Sequence, residues 1–189
     1  MKLTKSHLLK TTMHLFYAVI MVSLIQQPVF ADSAAEIDEE VRIGLTQLYE
    51  TSPKAKELSK VAKGILVFPD VLKAGLIIGA QYGEGALLVN EKTAGYYNTV
   101  AASYGLQAGV QSFGYAMFLM TDEALEYLQS SSGWEIGVGP SIVVVDKGAA
   151  KSLTTTTAKE DIYAFFFEQK GLMAGMGLQG SKITPNNPE

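Results

Sequence analysis

Five lysines lie within 20 residues of a chain whose formal net charge is -4, and their chemistry is the most suggestive in the sequence. Each ammonium group near an anionic lipid surface contributes about 1 kcal/mol of attraction. Glu57 interleaves with the lysines, so a solvated helix face is the alternative interpretation. We predict a contact with anionic phospholipid or a membrane surface through Lys54, Lys56, Lys60, Lys63 and Lys73.

Carboxylates are the other groups that could do chemistry. Two of them about 5–10 Å apart would suffice for a glycosidase-type hydrolysis of an envelope lipid or glycan. Most of these carboxylates fall at predicted turns or helix starts, where capping and solubility also explain them. The hydrolase therefore remains an alternative, with these candidates: Asp70, Glu84, Glu91, Asp122, Glu123, Asp146, Glu160 and Asp161.

Residues 1–31 have the form of a secretory signal peptide. Three lysines precede an uncharged, mostly apolar run, and Val29 and Ala31 supply the small residues of a cleavage point before Asp32. Cleavage would remove these lysines and leave 158 residues with a net charge of -7. We therefore expect an exported protein, periplasmic or extracellular, that is peripheral to a membrane.

The predicted mature chain has no histidine and no cysteine, since His7 and His14 both lie in the leader. This excludes a Ser-His-Asp triad, a cysteine nucleophile, a disulfide and a His or Cys metal site. It also excludes a lipoprotein anchored through cysteine. We expect no cofactor, no catalytic residue and no metal, and the acidic balance argues against a nucleic-acid partner.

Two helices are predicted at the start of the mature chain. Ile37, Val41, Leu45 and Leu48 recur at helical spacing, with Asp32 or Ser33 as the N-cap. Ser52 and Pro53 then start a second helix, since proline suits the first helical position. Lys56, Lys60 and Lys63 fall on one side of that second helix, and Leu58, Val61 and Ala62 on the other.

The pattern changes to strands from Gly64 onward. All but one of the 18 glycines lie between residues 64 and 180, and residues 94–121 carry no charge. Residues 99–110 alternate with a period of two, one set apolar and the other small or polar. Further strands are predicted over 64–68, 75–80, 85–89, 114–120, 134–138, 141–146, 161–167 and 171–178, with bends at 69–70, 83–85 and 139–140.

The predicted fold class is therefore α+β. N-terminal helices pack on a glycine-rich, mostly antiparallel sheet that is strongly coiled or barrel-like, with one short inserted helix over 122–131 capped by Thr121. A single domain spans residues 32–184, and the tail over 185–189 is predicted to be disordered.

An aromatic run provides a second candidate for lipid contact. Phe165, Phe166 and Phe167 follow one another in an apolar strand. A strand buried on both faces is the simpler interpretation, and an apolar contact with lipid is the functional one.

Several ordered blocks of the sequence resemble the SYLF lipid-binding domain family. The first is Ala62-Lys63-Gly64-Ile65-Leu66-Val67-Phe68-Pro69-Asp70-Val71-Leu72-Lys73-Ala74-Gly75. The later blocks lie in order at 82–87, 95–99, 120–125, 132–135, 170–173 and 180–184. The resemblance covers roughly residues 55 to 185.

The resemblance implies a non-catalytic lipid-binding domain of the bacterial exported type. Eukaryotic members bind phosphoinositides, and yeast members bind actin. Lipid contact in the family lies near an N-terminal basic segment, whose counterpart here is the region of the five lysines. An exported protein would not meet actin, so anionic phospholipid is the implied partner. A structural or protein-interaction factor of the cell envelope remains a further alternative.

Overall fold

A computed structural model of the protein describes residues 32–75, 77–104, 109–145, 158–171, 178 and 180–189. The predicted signal peptide lies outside these residues. So do Asp146 and nearly all of the strand predicted over 171–178.

Two helices open the described chain, and both start where their caps predict. Helix α1 spans Ala34–Thr51, and Ser33 and Glu36 form a capping box at its start. Helix α2 spans Pro53–Ser59, with Ser52 accepting a hydrogen bond from the backbone of Ala55. The spacing of Lys56, Lys60 and Lys63 predicts a longer helix, but α2 ends at Ser59 and leaves Lys60 and Lys63 beyond it. A third helix, α3, spans Asp122–Ser130 and is capped by Thr121 as predicted.

The described strands form one eight-stranded sheet, in the order β5-β8-β3-β2-β1-β4-β7-β6. All described pairs are antiparallel except β6 with β7. The sheet is strongly curled, as predicted. Helices that precede a mostly antiparallel sheet confirm the predicted α+β class. The strands are β1 Gly64–Gly75, β2 Ile78–Val89, β3 Lys92–Tyr104, β4 Gly109–Leu119, β5 Trp134–Glu135, β6 Ile142–Val144, β7 Ile162–Gly171 and β8 Lys182–Asn186.

Strand β1 passes through Pro69 and Asp70, where the sequence predicts a bend. The register with β2 and β4 shifts there, so the proline occupies a β-bulge rather than a turn. Gly83 and Gly85 lie opposite this bulge within β2, not in a turn. A Cβ on Gly85 would lie 2.0 Å from the carbonyl oxygen of Val67. Two long strands, β1 and β2, therefore replace the three short strands predicted over 64–68, 75–80 and 85–89. They stay continuous because glycine permits the close approach of the two backbones.

The two faces of the sheet carry separate cores. On the face that we call the α1 face, Ile37, Val41 and Leu48 pack with Phe118 and Phe165. On the opposite face, which we call the α3 face, Leu128 and Trp134 pack with strand residues such as Leu66, Phe68, Tyr115 and Met117. Both faces are covered, so the central strands are apolar on both sides.

The end of the chain corrects a prediction. Pro185 and Asn186 belong to β8 and pair with Tyr97 and Tyr96 of β3. The backbone of Ala34 also donates a hydrogen bond of 3.4 Å to the carbonyl of Glu189. Pro185 and Asn186 are therefore strand residues and not part of the predicted disordered tail, because cross-strand hydrogen bonds hold a segment whose composition alone suggests a loose end.

Candidate functional site

A cleft of about 790 Å³ lies on the α1 face of the sheet. It is bounded by α1, by the segment after α2, and by the start of β1, the end of β2 and the start of β3. This volume falls in the range of small-molecule sites. The residues that line it are Asp38, Val41, Arg42, Leu45, Thr46, Tyr49, Ser59, Lys60, Ala62, Lys63, Gly64, Ile65, Leu88, Asn90, Glu91 and Thr93.

The inner wall of the cleft is apolar. Val41 and Leu45 come from the buried stripe of α1, and Ile65 and Leu88 are register partners on β1 and β2. Tyr49 is half-buried one helical turn beyond Leu45, and burial raises the pKa of its hydroxyl. This wall can contact a hydrocarbon chain.

Hydrogen bonds at one end of the cleft tie α1 to the sheet. The two carboxylate oxygens of Asp38 accept hydrogen bonds of 2.8 Å from Thr93 Oγ1 and 3.1 Å from the Tyr96 hydroxyl. The Asp38 carboxylate, with both oxygens engaged by β3, holds the helix at a set position over the strands.

Three cations line the cleft. Arg42 Nε donates a hydrogen bond of 2.9 Å to Glu39 on the outer surface of α1. Lys63 Nζ lies 2.9 Å from a carboxylate oxygen of Asp122 at the start of α3. Among the described residues, no ion pair engages Lys60. The arrangement therefore combines an apolar wall with a polar rim that carries these three cations and the carboxylates of Asp38 and Glu91.

The structure brings only two of the five predicted lysines together at the cleft. Lys60 and Lys63 line it, because the chain leaves α2 and turns into β1 there. Lys54 forms an ion pair of 2.8 Å with Glu57, and Lys56 is exposed on α2; neither lines the cleft.

Lys73 does not belong to the same surface, which corrects the predicted five-lysine patch. It lies near the far end of β1, is 8% exposed, and pairs in register with Gln81 and Gln111. The bulge at Pro69 and Asp70 shifts the alternation, so that Val71 and Lys73 point to the α3 face. The prediction groups Lys73 with the lysines of residues 54–63 only because it lies near them in the sequence.

The three phenylalanines, for which the sequence predicts a contact with lipid, pack into the two cores and form no exposed apolar surface. Phe165 and Phe167 are buried under α1, and the Phe165 ring packs edge-on against Phe118 at 5.3 Å. Phe166 packs on the opposite face, with its ring 5.6 Å from that of Phe113. The two-sided buried strand is the correct interpretation.

Carboxylates cluster where α1 begins. Asp70 and Glu84 are register partners on β1 and β2. Glu84 is engaged at both oxygens, by the Tyr82 hydroxyl at 2.6 Å and by the backbone of Asp32 at 3.0 Å. Partial burial, followed by repulsion from Glu84, raises the pKa of Asp32. Partial burial likewise raises the pKa of Glu40, with Asp32 as the next cause.

This cluster comes nearest to the predicted hydrolase site, but Glu84 serves there as a structural acceptor. Partial burial of the Tyr82 hydroxyl, followed by the hydrogen bond that it donates to Glu84, raises the pKa of Tyr82 to about 12. Within the described chain no group of three or more potential ligands is placed to hold a metal ion.

The remaining candidate carboxylates are dispersed. Asp161 accepts hydrogen bonds of 2.9 Å from the backbone and the hydroxyl of Ser141, which lower its pKa. Asp122 pairs with Lys63, and Glu91 lines the cleft. Glu123 lies in the first turn of α3, and Glu160 precedes β7.

Arg42 is a cleft residue that sequence reasoning missed. Asp38, Arg42, Leu45 and Tyr49 follow one another at spacings of four, three and four, so they share one stripe of α1. That stripe borders the buried face of α1 and shares Leu45 with it, and a search of helical faces for mixed apolar and cationic positions would have found it.

None of the helices within the described ranges has the length and apolar character that crossing a membrane requires. No curated protein matches the chain. Residues 100–189, from within β3 onward, match the model of the family described as Ysc84, Las17-binding protein actin regulator, which confirms the resemblance of this part of the chain to the SYLF family.

Proposed function

We propose that this protein is a non-catalytic lipid-binding domain of an exported protein, and that it binds an anionic phospholipid in the cleft beside α1. The SYLF family is one of lipid- and actin-binding regulatory domains. The form of residues 1–31 supports export, and an exported protein would not meet actin. The lysines at the cleft support an anionic headgroup.

One observation carries the proposal: the cleft has an apolar wall, and two lysines lie next to each other on its rim. An acyl chain lies against Leu45, Ile65 and Leu88, which removes apolar surface from water. The phosphate lies at the rim, where Lys60 and Lys63 donate charge-assisted hydrogen bonds. The function needs no nucleophile and no metal.

The test uses a phospholipid that dissolves as monomers, so that no bilayer is present. Residues 32–189 are titrated with dihexanoyl phosphatidylglycerol below its micelle concentration, and binding is followed by calorimetry and by NMR. Lys60→Gln with Lys63→Gln should weaken binding roughly tenfold or more, since a charge-assisted hydrogen bond contributes about 1.5–3 kcal/mol. Dihexanoyl phosphatidylcholine should bind more weakly.

The matched control changes the two lysines that lie on α2 but outside the cleft. Lys54→Gln with Lys56→Gln removes the same charge and should leave binding unchanged. Equal loss in both double variants would show a diffuse charge effect and contradict the cleft. Absence of binding by the unsubstituted protein would contradict the proposed function itself. Circular dichroism confirms that both variants fold.

A further inference from the structure

An exposed apolar patch covers the part of the α1 face that no described helix covers. We call it the apolar platform, and it comprises Leu72, Ile78, Tyr82, Val100 and Val110 with the exposed alanines Ala74, Ala80 and Ala102. Its five large side chains are between 47% and 62% exposed. Contiguous exposed apolar patches on a soluble surface mark sites of protein or membrane interaction.

Strand register shows that the platform is continuous. Tyr82 of β2 pairs with Leu72 of β1 on one side and with Val100 of β3 on the other. One pleat further along, Ala80 pairs with Ala102, and Ala74 pairs with Val110. Directly paired residues point to the same face of a sheet, so these side chains form one surface across four strands.

A lysine flanks the platform at each side. Val100 pairs with Lys182 of β8, and Leu72 pairs with Ser112, which in turn pairs with Lys170 of β7. Both lysines are exposed. Lys170 has a loose contact of 3.7 Å with Glu168, and Lys182 pairs in register with Glu135. Long lysine stems can lie along apolar surface while the ammonium reaches the phosphates of a bilayer.

Two further acidic residues lie at the end of the platform toward α1. Glu84 lies two residues after Tyr82 on β2, and its register partner Asp70 lies two residues before Leu72 on β1, so both are on the side of the platform toward the helix. Ile77 and Ile78 lie at the opposite end, in the β1–β2 hairpin, and are among the most exposed large apolar residues described. The surface is therefore apolar at the hairpin end and acidic at the rear, and each exposed lysine at its sides has one acidic neighbour, Glu168 beside Lys170 and Glu135 beside Lys182.

We propose that the apolar platform docks on an anionic bilayer, with Ile77 and Ile78 inserted deepest. This inference rests on the proposed function, because it assigns the bilayer contact of a protein whose cleft binds a single lipid. The platform places Ile78 and Val110 at the acyl boundary and Lys170 and Lys182 at the headgroups. The acidic row beside α1 stays in water.

The first experiment places a tryptophan reporter on the platform. Val100→Trp in residues 32–189 is mixed with vesicles of phosphatidylglycerol and phosphatidylcholine that carry brominated acyl chains. Emission from the introduced tryptophan should shift to the blue and be quenched by the bromines. The native Trp134 is 1% exposed, so the unsubstituted protein gives the baseline. Val138→Trp, at a position that is 60% exposed outside the platform, is the matched control and should not be quenched.

The second experiment removes apolar surface without adding charge. Ile78→Ser with Val110→Ser should lower partition into the same vesicles roughly tenfold or more, because two branched side chains lose their transfer from water to hydrocarbon. Ile43→Ser with Val138→Ser makes a similar change at exposed positions outside the platform and should leave partition unchanged. All four substituted positions are at least 42% exposed, so the fold should tolerate them.

The outcomes separate this inference from the proposed function. Quenching of the platform reporter without monomeric lipid binding would support the platform and contradict the cleft. Monomeric lipid binding with no quenching of that reporter would support the cleft and overturn the platform. Sedimentation equilibrium adds a third outcome: if Ile78→Ser with Val110→Ser converts a dimer to a monomer and leaves vesicle partition unchanged, the platform is a self-association surface and the inference is wrong.

Discussion

The ammonium group of Lys63 lies 2.9 Å from the carboxylate of Asp122, so that the segment after α2 and the first turn of α3 are joined by an ion pair at the mouth of the cleft. The side chains are 46% and 76% exposed, and water screens such a pair. Its contribution to stability is therefore small, and its larger effect is to occupy one of the cations of the rim.

The first prediction follows from that competition. Asp122→Asn should strengthen binding of dihexanoyl phosphatidylglycerol, because Lys63 is then free to contact the phosphate. The free energy of unfolding should change by less than about 1 kcal/mol. Calorimetry and urea denaturation measure the two quantities. Glu123→Gln removes one charge from the adjacent position and is the control; an equal gain in affinity there would assign the effect to net charge.

Tyr115 and Thr99 form a buried hydrogen bond of 2.8 Å on the α3 face. Both are fully buried, and burial raises the pKa of the tyrosine hydroxyl. Tyr115→Phe should lower the free energy of unfolding by roughly 1–3 kcal/mol, because the threonine hydroxyl remains buried without its donor. Urea denaturation measures the loss. Adding Thr99→Val should recover part of it, and no recovery would show that the hydrogen bond is not the cause.

Gly85 faces the β1 bulge with no room for a side chain. A Cβ there would lie 2.0 Å from the carbonyl oxygen of Val67, so Gly85→Ala must displace backbone. We expect a loss of about 3 kcal/mol in the free energy of unfolding, at the upper part of the range for overpacking. Gly95→Ala is the control, since the nearest atom to its added Cβ is a ring carbon of Tyr97 at 3.4 Å. Comparable losses in the two variants would contradict the role of the bulge.

Asp161 should make stability depend on pH in the direction of a carboxyl with a lowered pKa. Hydrogen bonds from Ser141 favour its charged form in the folded state. The stabilisation is present above the pKa of the unfolded chain and is lost as pH falls through the folded pKa. Asp161→Asn should therefore be less stable than the unsubstituted protein at neutral pH, and thermal melts should show the difference shrinking in acid.

Glu40 should show the opposite sign, because partial burial raises its pKa in the folded state. Its charged form is disfavoured by folding, so Glu40→Gln should raise stability at neutral pH and have no effect once the carboxyl is protonated in both states. The same thermal melts test this. A variant that loses stability at neutral pH would show that the Glu40 carboxylate is stabilising where it lies.

Much of the local structure could be predicted because its causes lie within a few residues. Ser33, Ser52 and Thr121 cap their helices through backbone groups three residues away. Sequence alone places Ser52 and Thr121, and it leaves Asp32 or Ser33 for the first helix. The strand boundaries could not be placed in this way. Pro69 is tolerated inside β1 only because Gly83 and Gly85 of a neighbouring strand accept the bulge.

The alternation over residues 99–110 shows a similar limit. The apolar set could be recognised from the sequence, but Val100 and Val110 are exposed while Thr99 and Gln111 are buried. Period two separates two faces of a strand and does not say which one a neighbouring element covers. Here α1 covers only part of its face, and the uncovered part is the platform.

The sequence by itself determined the α+β class, the helix starts and the family resemblance, because these depend on local spacing and on ordered blocks along the chain. Only the tertiary structure decided which lysines share a surface. Lys60 and Lys63 meet at the cleft, whereas Lys73 lies buried on the opposite face of the sheet. The physical reason is the bulge in β1: one extra residue reverses the direction of every later side chain in the strand.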